Sequence, residues 1–307
     1  MRFLLVGAGA IGGYFGGRLI QKGEEVVFLV RPPKQKQLEK AGLTITSVHG
    51  DFHTPVQTIV SGERAEPFDC IILSIKAYHL AQALHDIAPY VGENTIILPL
   101  LNGYDHYAQL TDAFGEAHIL GGLCFIETTL DHEGTIIQTS PRHDIVFGEW
   151  GGGTSKRTER LLHHLEGAQF AVKHSENIQR DIWQKYIFIA SMSGITTLIN
   201  APIGPILSTT AARTVFERLV HEVVAIARNA GAPIDKDTEE RTIKTMESLH
   251  PEMKSSMQRD MEKGDPVETD HLHGALLALA APEQGFYPVL EAVYGKLKVY
   301  EASLELP

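Results

Sequence analysis

The sequence predicts an α/β domain over residues 1–174, followed by an all-α domain over residues 175–307. Three observations lead to this fold class. The chain has 307 residues, whereas a single domain usually has about 100–200. Short β-rich apolar runs alternate with helical stretches in the first half, and only helical patterns follow. A glycine-rich turn comes directly after the first apolar run, as in a strand that leads into a helix.

The apolar runs of the first half show little polar alternation, which is expected of strands covered on both faces. We therefore predict a parallel sheet with crossover helices. The predicted strands are residues 3–6, 26–30, 70–75 and 95–98, with further strands at 119–129, 135–139 and 144–147. The predicted helices are residues 11–22, 78–88, 104–114 and 156–166.

The second half is predicted to be helical throughout. Its helices are expected at residues 177–198, 211–230, 238–249, 266–281 and 288–303. Residues 186–212 contain no charged side chain, but Asn200 and Pro202 interrupt them, so we predict a buried helix and a loop rather than a membrane span. The apolar positions of these helices would allow a homodimer to form through this half.

Composition excludes several classes of protein. Acidic residues exceed basic ones, 38 against 27, which argues against a nucleic-acid partner. Cys70 and Cys124 are the only cysteines and lie in separate apolar runs. They fit neither a disulfide framework nor a zinc ribbon, so we expect a reducing, cytoplasmic location. His271 and His273 point to different sides of a helix, and no metal site is expected.

The first strand runs into a Gly-x-Gly-x-x-Gly turn formed by Gly7, Gly9 and Gly12, with Ala10 and Ile11 between the last two. Gly7 would permit the tight turn, Gly9 the close approach of a pyrophosphate, and Gly12 the packing of helix on strand. Phosphates would then bind at a helix N-terminus, where unpaired N–H groups and the helix dipole favour anions. The motif predicts a dinucleotide-binding domain of the Rossmann type.

Arg31 indicates which dinucleotide is bound. NAD-binding domains usually have an acidic residue at the end of the second strand, where it holds the ribose 2′-hydroxyl. Here that strand ends in Arg31-Pro32-Pro33-Lys34. A guanidinium pairs with a 2′-phosphate that a carboxylate would repel. NADP(H) is therefore the predicted cofactor, although Arg31 as a solvated surface charge stays an alternative.

Motifs along the whole chain resemble those of the 2-dehydropantoate 2-reductases, or ketopantoate reductases. The resemblance implies a helical C-terminal domain like that of 6-phosphogluconate dehydrogenase. The motifs that carry it are residues 7–16, Arg31-Pro32, Ser74-Ile75-Lys76-Ala77-Tyr78, Pro99-Leu100-Leu101-Asn102-Gly103, Gly121-Gly122, Val146-Phe147-Gly148-Glu149, Asp181-Ile182-Trp183-Gln184-Lys185, Lys254-Ser255-Ser256-Met257, Asp260 and Glu268-Thr269-Asp270.

The resemblance implies NADPH-dependent reduction of the C2 carbonyl of ketopantoate to pantoate, a step of pantothenate biosynthesis. It assigns Lys185 as the cation that stabilises the carbonyl oxygen and donates the proton. This role requires the pKa of Lys185 to fall from ~10.4 to about 7–8. Burial among the uncharged residues 186–189 would lower it. Lys185 as the end of an amphipathic helix face is the alternative.

By the same resemblance, Glu268 binds the substrate or product hydroxyl and Ser256 binds the substrate carboxylate. Asn102 and Lys76 match positions beside the nicotinamide and at the cleft between cofactor and substrate. Each has a simpler reading: Glu268 as a helix N-terminal charge, Ser256 as a helix-surface hydroxyl, and Asn102 as a turn residue before Gly103.

The chain departs from the family pattern at three positions near the substrate. Ile189 and Ser193 stand where the family has asparagines four and eight residues after the lysine, and Ile203 replaces another asparagine. Each lost hydrogen bond would cost about 1 kcal/mol. Ketopantoate has a terminal hydroxyl, so the alternative substrate is another small 2-oxo acid with a less polar tail. A further alternative is a non-catalytic NADP(H)-binding sensor.

Overall fold

A computed structural model describes residues 1–280 and 285–304 of the chain. These residues form two compact units. The first comprises Met1–Leu101 and His106–Ile178, and the second comprises Asn102–Asp105 and the described residues from Gln179 onward. The predicted boundary after residue 174 lies close to the end of the first unit. Each unit has its own hydrophobic core.

The first unit is built on a five-stranded parallel sheet. Its strands are β1 Arg2–Val6, β2 Glu25–Leu29, β5 Gln57–Ile59, β6 Cys70–Leu73 and β7 Ile96–Pro99, in the order β5-β2-β1-β6-β7. Residues on both faces of β1 are fully buried, among them Phe3, Leu4 and Leu5. The predicted Rossmann-type fold is thus confirmed. The strand order reverses at β1, where open α/β sheets bind ligands beyond the carboxyl ends of their strands.

A second sheet in the same unit contains β3 Leu43–Ser47, β4 Phe52–Thr54, β8 Gly121–Leu130, β9 Ile136–Gly148 and β10 Ala171–His174. Its order is β10-β9-β3-β4, and β8 pairs antiparallel with β9. The prediction of two short strands at 135–139 and 144–147 was wrong, because β9 is a single strand. β8 pairs with both of its ends across an irregularity between Ile126 and Thr128. Strands β3, β4, β5 and β10 were not predicted.

Five α-helices belong to the described first unit: α1 Ala10–Lys22, α2 Pro32–Ala41, α3 Leu80–Ile87, α4 His106–Phe114 and α5 Lys156–Leu165. Helix α2 was not predicted. Its two leading prolines look like a turn, but proline is favoured in the first turn of a helix, where its missing N–H is not needed. α1 ends at Gly23, which adopts the left-handed conformation that glycine tolerates.

The described part of the second unit is helical, which confirms the predicted all-α domain. Its helices are α6 Ile178–Ile199, α7 Ile203–Ser208, α8 Thr210–Asn229, α9 Thr238–Glu247, α10 Ser256–Lys263, α11 Ala275–Leu279 and α12 Pro288–Leu304, with a π-helical turn at Asp270–Gly274. α7 and α10 were not predicted.

The single helix predicted over 266–281 begins later than expected and contains the π-helical turn, and its predicted last residue lies outside the described residues. Within residues 1–280 and 285–304, no helix has the length and apolar character needed to cross a bilayer.

Candidate active site

The glycine turn between β1 and α1 has the geometry that the sequence predicts. Gly7 adopts a φ of +92°, which a residue with a side chain rarely does. A Cβ on Gly12 would overlap Ser74 Oγ and the Gly7 carbonyl oxygen, so this glycine lets α1 lie against the sheet. A Cβ on Gly9, in contrast, would meet nothing within 4 Å. Open space therefore adjoins the backbone at the start of α1.

The start of α1 fits a phosphate group. Gly9 is the N-cap residue and provides no side-chain acceptor to the first turn. Ala10 and Ile11 form that turn and are half-buried. Helix N-terminal N–H groups bind anions well, and the space at Gly9 leaves room for one. These residues fit the pyrophosphate of a dinucleotide.

Arg31 follows β2 as the N-cap residue of α2, and its side chain is exposed. Its Nη2 donates to the His79 ring, at 3.2 Å from Nδ1 and 3.3 Å from Nε2. Burial lowers the pKa of His79, and the charge of Arg31 lowers it further. His79 was not predicted as a site residue. Its position three residues after Lys76 was the available signal.

Lys76 follows β6 and is half-buried. Gly7, Arg31 and Lys76 lie in the loops that follow β1, β2 and β6, which are neighbouring parallel strands. The structure therefore brings the predicted cofactor residues of the first unit to one edge of its sheet. Asn102 is the exception, because it belongs to the second unit.

In the second unit, Lys185 lies on α6 with 8% of its surface exposed. It is the only lysine among the described residues that is buried. Its neighbour Tyr186 is also buried and donates a hydrogen bond from its hydroxyl to the Leu272 carbonyl at 2.6 Å. Burial raises the pKa of Tyr186, and the negative charge of Asp105 adds to the effect. Both side chains are therefore largely shielded from solvent.

Glu268 is half-buried and lies directly before the helical segment that contains the π-helical turn. Its backbone carbonyl accepts from the Leu272 N–H at 3.0 Å, as expected near a helix N-terminus. Asn102 precedes Gly103, which has a φ of +86°. The Asn102 carbonyl accepts a 2.6 Å hydrogen bond from His271 Nε2. The sequence did not identify His271 as a residue of this region.

The residues at the positions that differ from the family pattern contact other parts of the second unit. Ser193 is buried, and its hydroxyl donates to the Ile189 carbonyl at 2.7 Å. Ile189 is half-buried and packs on the core of the second unit. Ile203 is fully buried in that core. Ser256 is exposed as the first residue of α10, whereas Ser255 caps this helix by accepting from Gln258 N–H.

His273 was also not predicted. Burial lowers its pKa to about 4, so the ring is neutral near pH 7. Its Nε2 donates to the Ala190 carbonyl at 3.0 Å and lies 3.4 Å from Ser193 Oγ. No group of three or more potential ligands for a metal ion occurs among the described side chains. Cys70 and Cys124 are both buried.

Two family models match the chain. The model described as "Ketopantoate reductase PanE/ApbA" matches residues 3–152. The model described as "Ketopantoate reductase PanE/ApbA C terminal" matches residues 177–301. Together they cover most of both predicted domains.

Individual proteins resemble the chain over almost its full length. The "Uncharacterized oxidoreductase YkpB" of Bacillus subtilis (strain 168) is 47% identical over 98% of this chain and 99% of its own. The crystal structure of 2-dehydropantoate 2-reductase from Geobacter metallireducens GS-15 is 28% identical with a TM-score of 0.88, covering 97% and 99% of the two chains. D-mandelate dehydrogenase with NADH and anilino(oxo)acetate, at 23% identity, 100% coverage of both chains and a TM-score of 0.89, shares the fold.

Proposed function

The chain belongs to the ketopantoate reductase (PanE/ApbA) family of oxidoreductases, which act on a CH–OH group, and we propose on this basis that it reduces 2-dehydropantoate to pantoate with NADPH. This step would serve pantothenate biosynthesis. The observation that carries the proposal is the buried Lys185 on α6, because a reductase of this kind needs a proton donor that is shielded from water. The cytoplasmic location and the homodimer stay predictions of the sequence.

The first unit would bind the cofactor. Gly7, Gly9 and Gly12, with the N–H groups of Ala10 and Ile11, would hold its pyrophosphate. Arg31 would pair with the 2′-phosphate, which distinguishes NADPH from NADH. Lys76 and Asn102 would contact the nicotinamide end. When bound, NADPH supplies the hydride that is transferred to the C2 carbonyl.

The second unit would provide the acid and the substrate contacts. The Lys185 ammonium would stabilise negative charge on the C2 oxygen and donate a proton from Nζ. Exclusion of water disfavours the charged amine, which makes release of that proton easier. Glu268 would accept a hydrogen bond from the hydroxyl of substrate or product. Ser256 would bind the substrate carboxylate at the N-terminus of α10, where the helix dipole favours an anion.

A second substrate class is favoured by Ile189, Ser193 and Ile203. The Ser193 proton is donated to the Ile189 carbonyl, and Ile203 is a core residue. These side chains therefore contribute fewer donors to a substrate hydroxyl than asparagines would. A small 2-oxo acid with an apolar tail is the second candidate substrate.

Lys185→Ala tests the proposed chemistry. We expect wild-type protein to oxidise NADPH in the presence of ketopantoate, and the variant to lose at least about 100-fold in kcat, since a general acid contributes roughly that much. The measurement is NADPH absorbance with ketopantoate and a panel of 2-oxo acids that lack its hydroxyl. NADPH binding, followed by fluorescence, should be kept in the variant.

The other outcomes decide between the candidates. A wild-type preference for an acid with an apolar tail would favour the second substrate class. Full activity of Lys185→Ala would contradict the assigned acid. Tight NADPH binding without turnover of any acid would instead support the sensor alternative.

A further inference from the structure

The π-helical turn at Asp270–Gly274 is held on two sides. Asp270 accepts from the Tyr294 hydroxyl at 2.8 Å and from Lys298 Nζ at 3.0 Å, both on α12. The Leu272 carbonyl accepts from the Tyr186 hydroxyl on α6. π-Helical turns are rare and are often found at functional sites. Here the turn begins two residues after Glu268 and contacts the neighbour of Lys185.

The two histidines of the turn point in different directions and contact different segments. His273 Nε2 donates to the Ala190 carbonyl on α6. His271 Nε2 donates to the Asn102 carbonyl at 2.6 Å. A Cβ on Gly103 would lie 2.9 Å from the same nitrogen, so the ring also fits closely against this turn. The His-x-His pattern therefore links one turn to α6 and to residues 102–103.

We propose that His271 is a positioning residue, which holds the Asn102 backbone in place through its Nε2–H. The proposal rests on the proposed function in one respect, the role of Asn102 beside the reacting groups. A carbonyl only accepts hydrogen bonds, so His271 must carry its proton on Nε2. Small displacements of groups that orient the reactants lower rates strongly, because the reaction depends on near-attack geometry.

The test compares His271→Gln with His271→Asn. Both variants are polar, but only glutamine is long enough to bring an amide donor near the former position of Nε2. We expect His271→Asn to lose roughly 10- to 100-fold in kcat with a smaller change in KM, and His271→Gln to stay within about fivefold of wild type. His221→Asn, an exposed histidine of α8 in the same unit, is the control and should retain wild-type kinetics.

A second readout does not require turnover. Hydrogen exchange at the backbone amides around Asn102 should be faster in His271→Asn than in wild type and His271→Gln. Equal exchange in the two variants, or equal kcat, would overturn the positioning role. If the wild type reduces no 2-oxo acid, the proposed function fails while the exchange experiment still decides whether His271 holds this segment.

Discussion

At the scale of single residues, the charge of Arg31 and the pKa of His273 lead to predictions that can be measured. Arg31 is exposed two residues after β2, and its guanidinium donates a hydrogen bond to the ring of His79. Burial and the nearby guanidinium lower the pKa of this histidine, so it is mostly neutral near pH 7. An exposed guanidinium beside a neutral ring is ready to pair with a phosphate. This pair therefore becomes the proposed determinant of cofactor choice.

Arg31→Ala should weaken NADPH binding about 10- to 150-fold and leave NADH binding almost unchanged, because only NADPH has the phosphate that the guanidinium would contact. Titrations of protein fluorescence with each cofactor measure the two dissociation constants. Lys36→Ala, on the same helix and also exposed, is the matched control. An equal increase in the dissociation constants of NADPH and NADH would show that Arg31 does not bind the 2′-phosphate.

His273 makes folding depend on pH. Its folded-state pKa of about 4 lies below the ordinary value of 6.5, so the unfolded chain binds the proton more readily. The contribution of His273 to the free energy of unfolding is therefore complete above about pH 6.5. As the pH falls toward 4, the free energy of unfolding decreases by up to about 3 kcal/mol, because protonation of His273 favours the unfolded chain. The free energy of unfolding, measured with urea at pH 7 and pH 4.5, should differ less between the two pH values for His273→Asn than for wild type.

The control for this experiment is His132→Asn, whose side chain is 90% exposed. It should keep the wild-type dependence on pH. An unchanged dependence in His273→Asn would mean that another group causes the loss of stability in acid.

At the scale of elements, the N-terminus of α12 depends on one buried carboxylate from α8. Glu222 is 1% exposed, and its Oε2 accepts from the Val289 and Leu290 N–H groups at 3.0 and 2.9 Å. Its Oε1 accepts from Arg218 Nε. A side chain from one helix thus satisfies backbone donors at the start of another, where four such groups have no partner within the helix.

Glu222→Ala should lower the free energy of unfolding by about 2–4 kcal/mol, because it leaves buried N–H groups unsatisfied. Chemical denaturation measures the loss. Glu217→Ala is the matched control on the same helix, since Glu217 is 45% exposed and pairs with Arg213. The control should change stability by less than about 1 kcal/mol. Similar losses in both variants would contradict the anchoring role.

The elements also differ in how well the sequence identifies them. Apolar runs and glycines predict β1, α1 and β2. The helix predicted over residues 177–198 corresponds closely to α6. The π-helical turn at Asp270–Gly274 has no local signal, because its form depends on contacts with Tyr186, Tyr294 and Lys298. Strand β9 was divided in prediction because the polar stretch Ser140-Pro141-Arg142-His143 separates its two apolar runs.

At the scale of the whole molecule, the sequence predicted the fold class and the cofactor turn, and the family resemblance supplied the acid and the substrate residues. The roles of Lys185 and Glu268 stay predictions. His79 and His271 were missed because their contacts join residues 48 and 169 positions apart, respectively. Sequence patterns report neighbours on one element, whereas these contacts exist only after the chain has folded.

The division of the chain between the two units affects the order in which it can fold. Residues 102–105 belong to the second unit although they are synthesised long before the rest of it. During translation the early part of the first unit can form as it leaves the ribosome. The Asn102 carbonyl, however, can bind His271 only after the 169 following residues have been synthesised. A fragment that starts at Gln179 would lack this segment however well its helices formed.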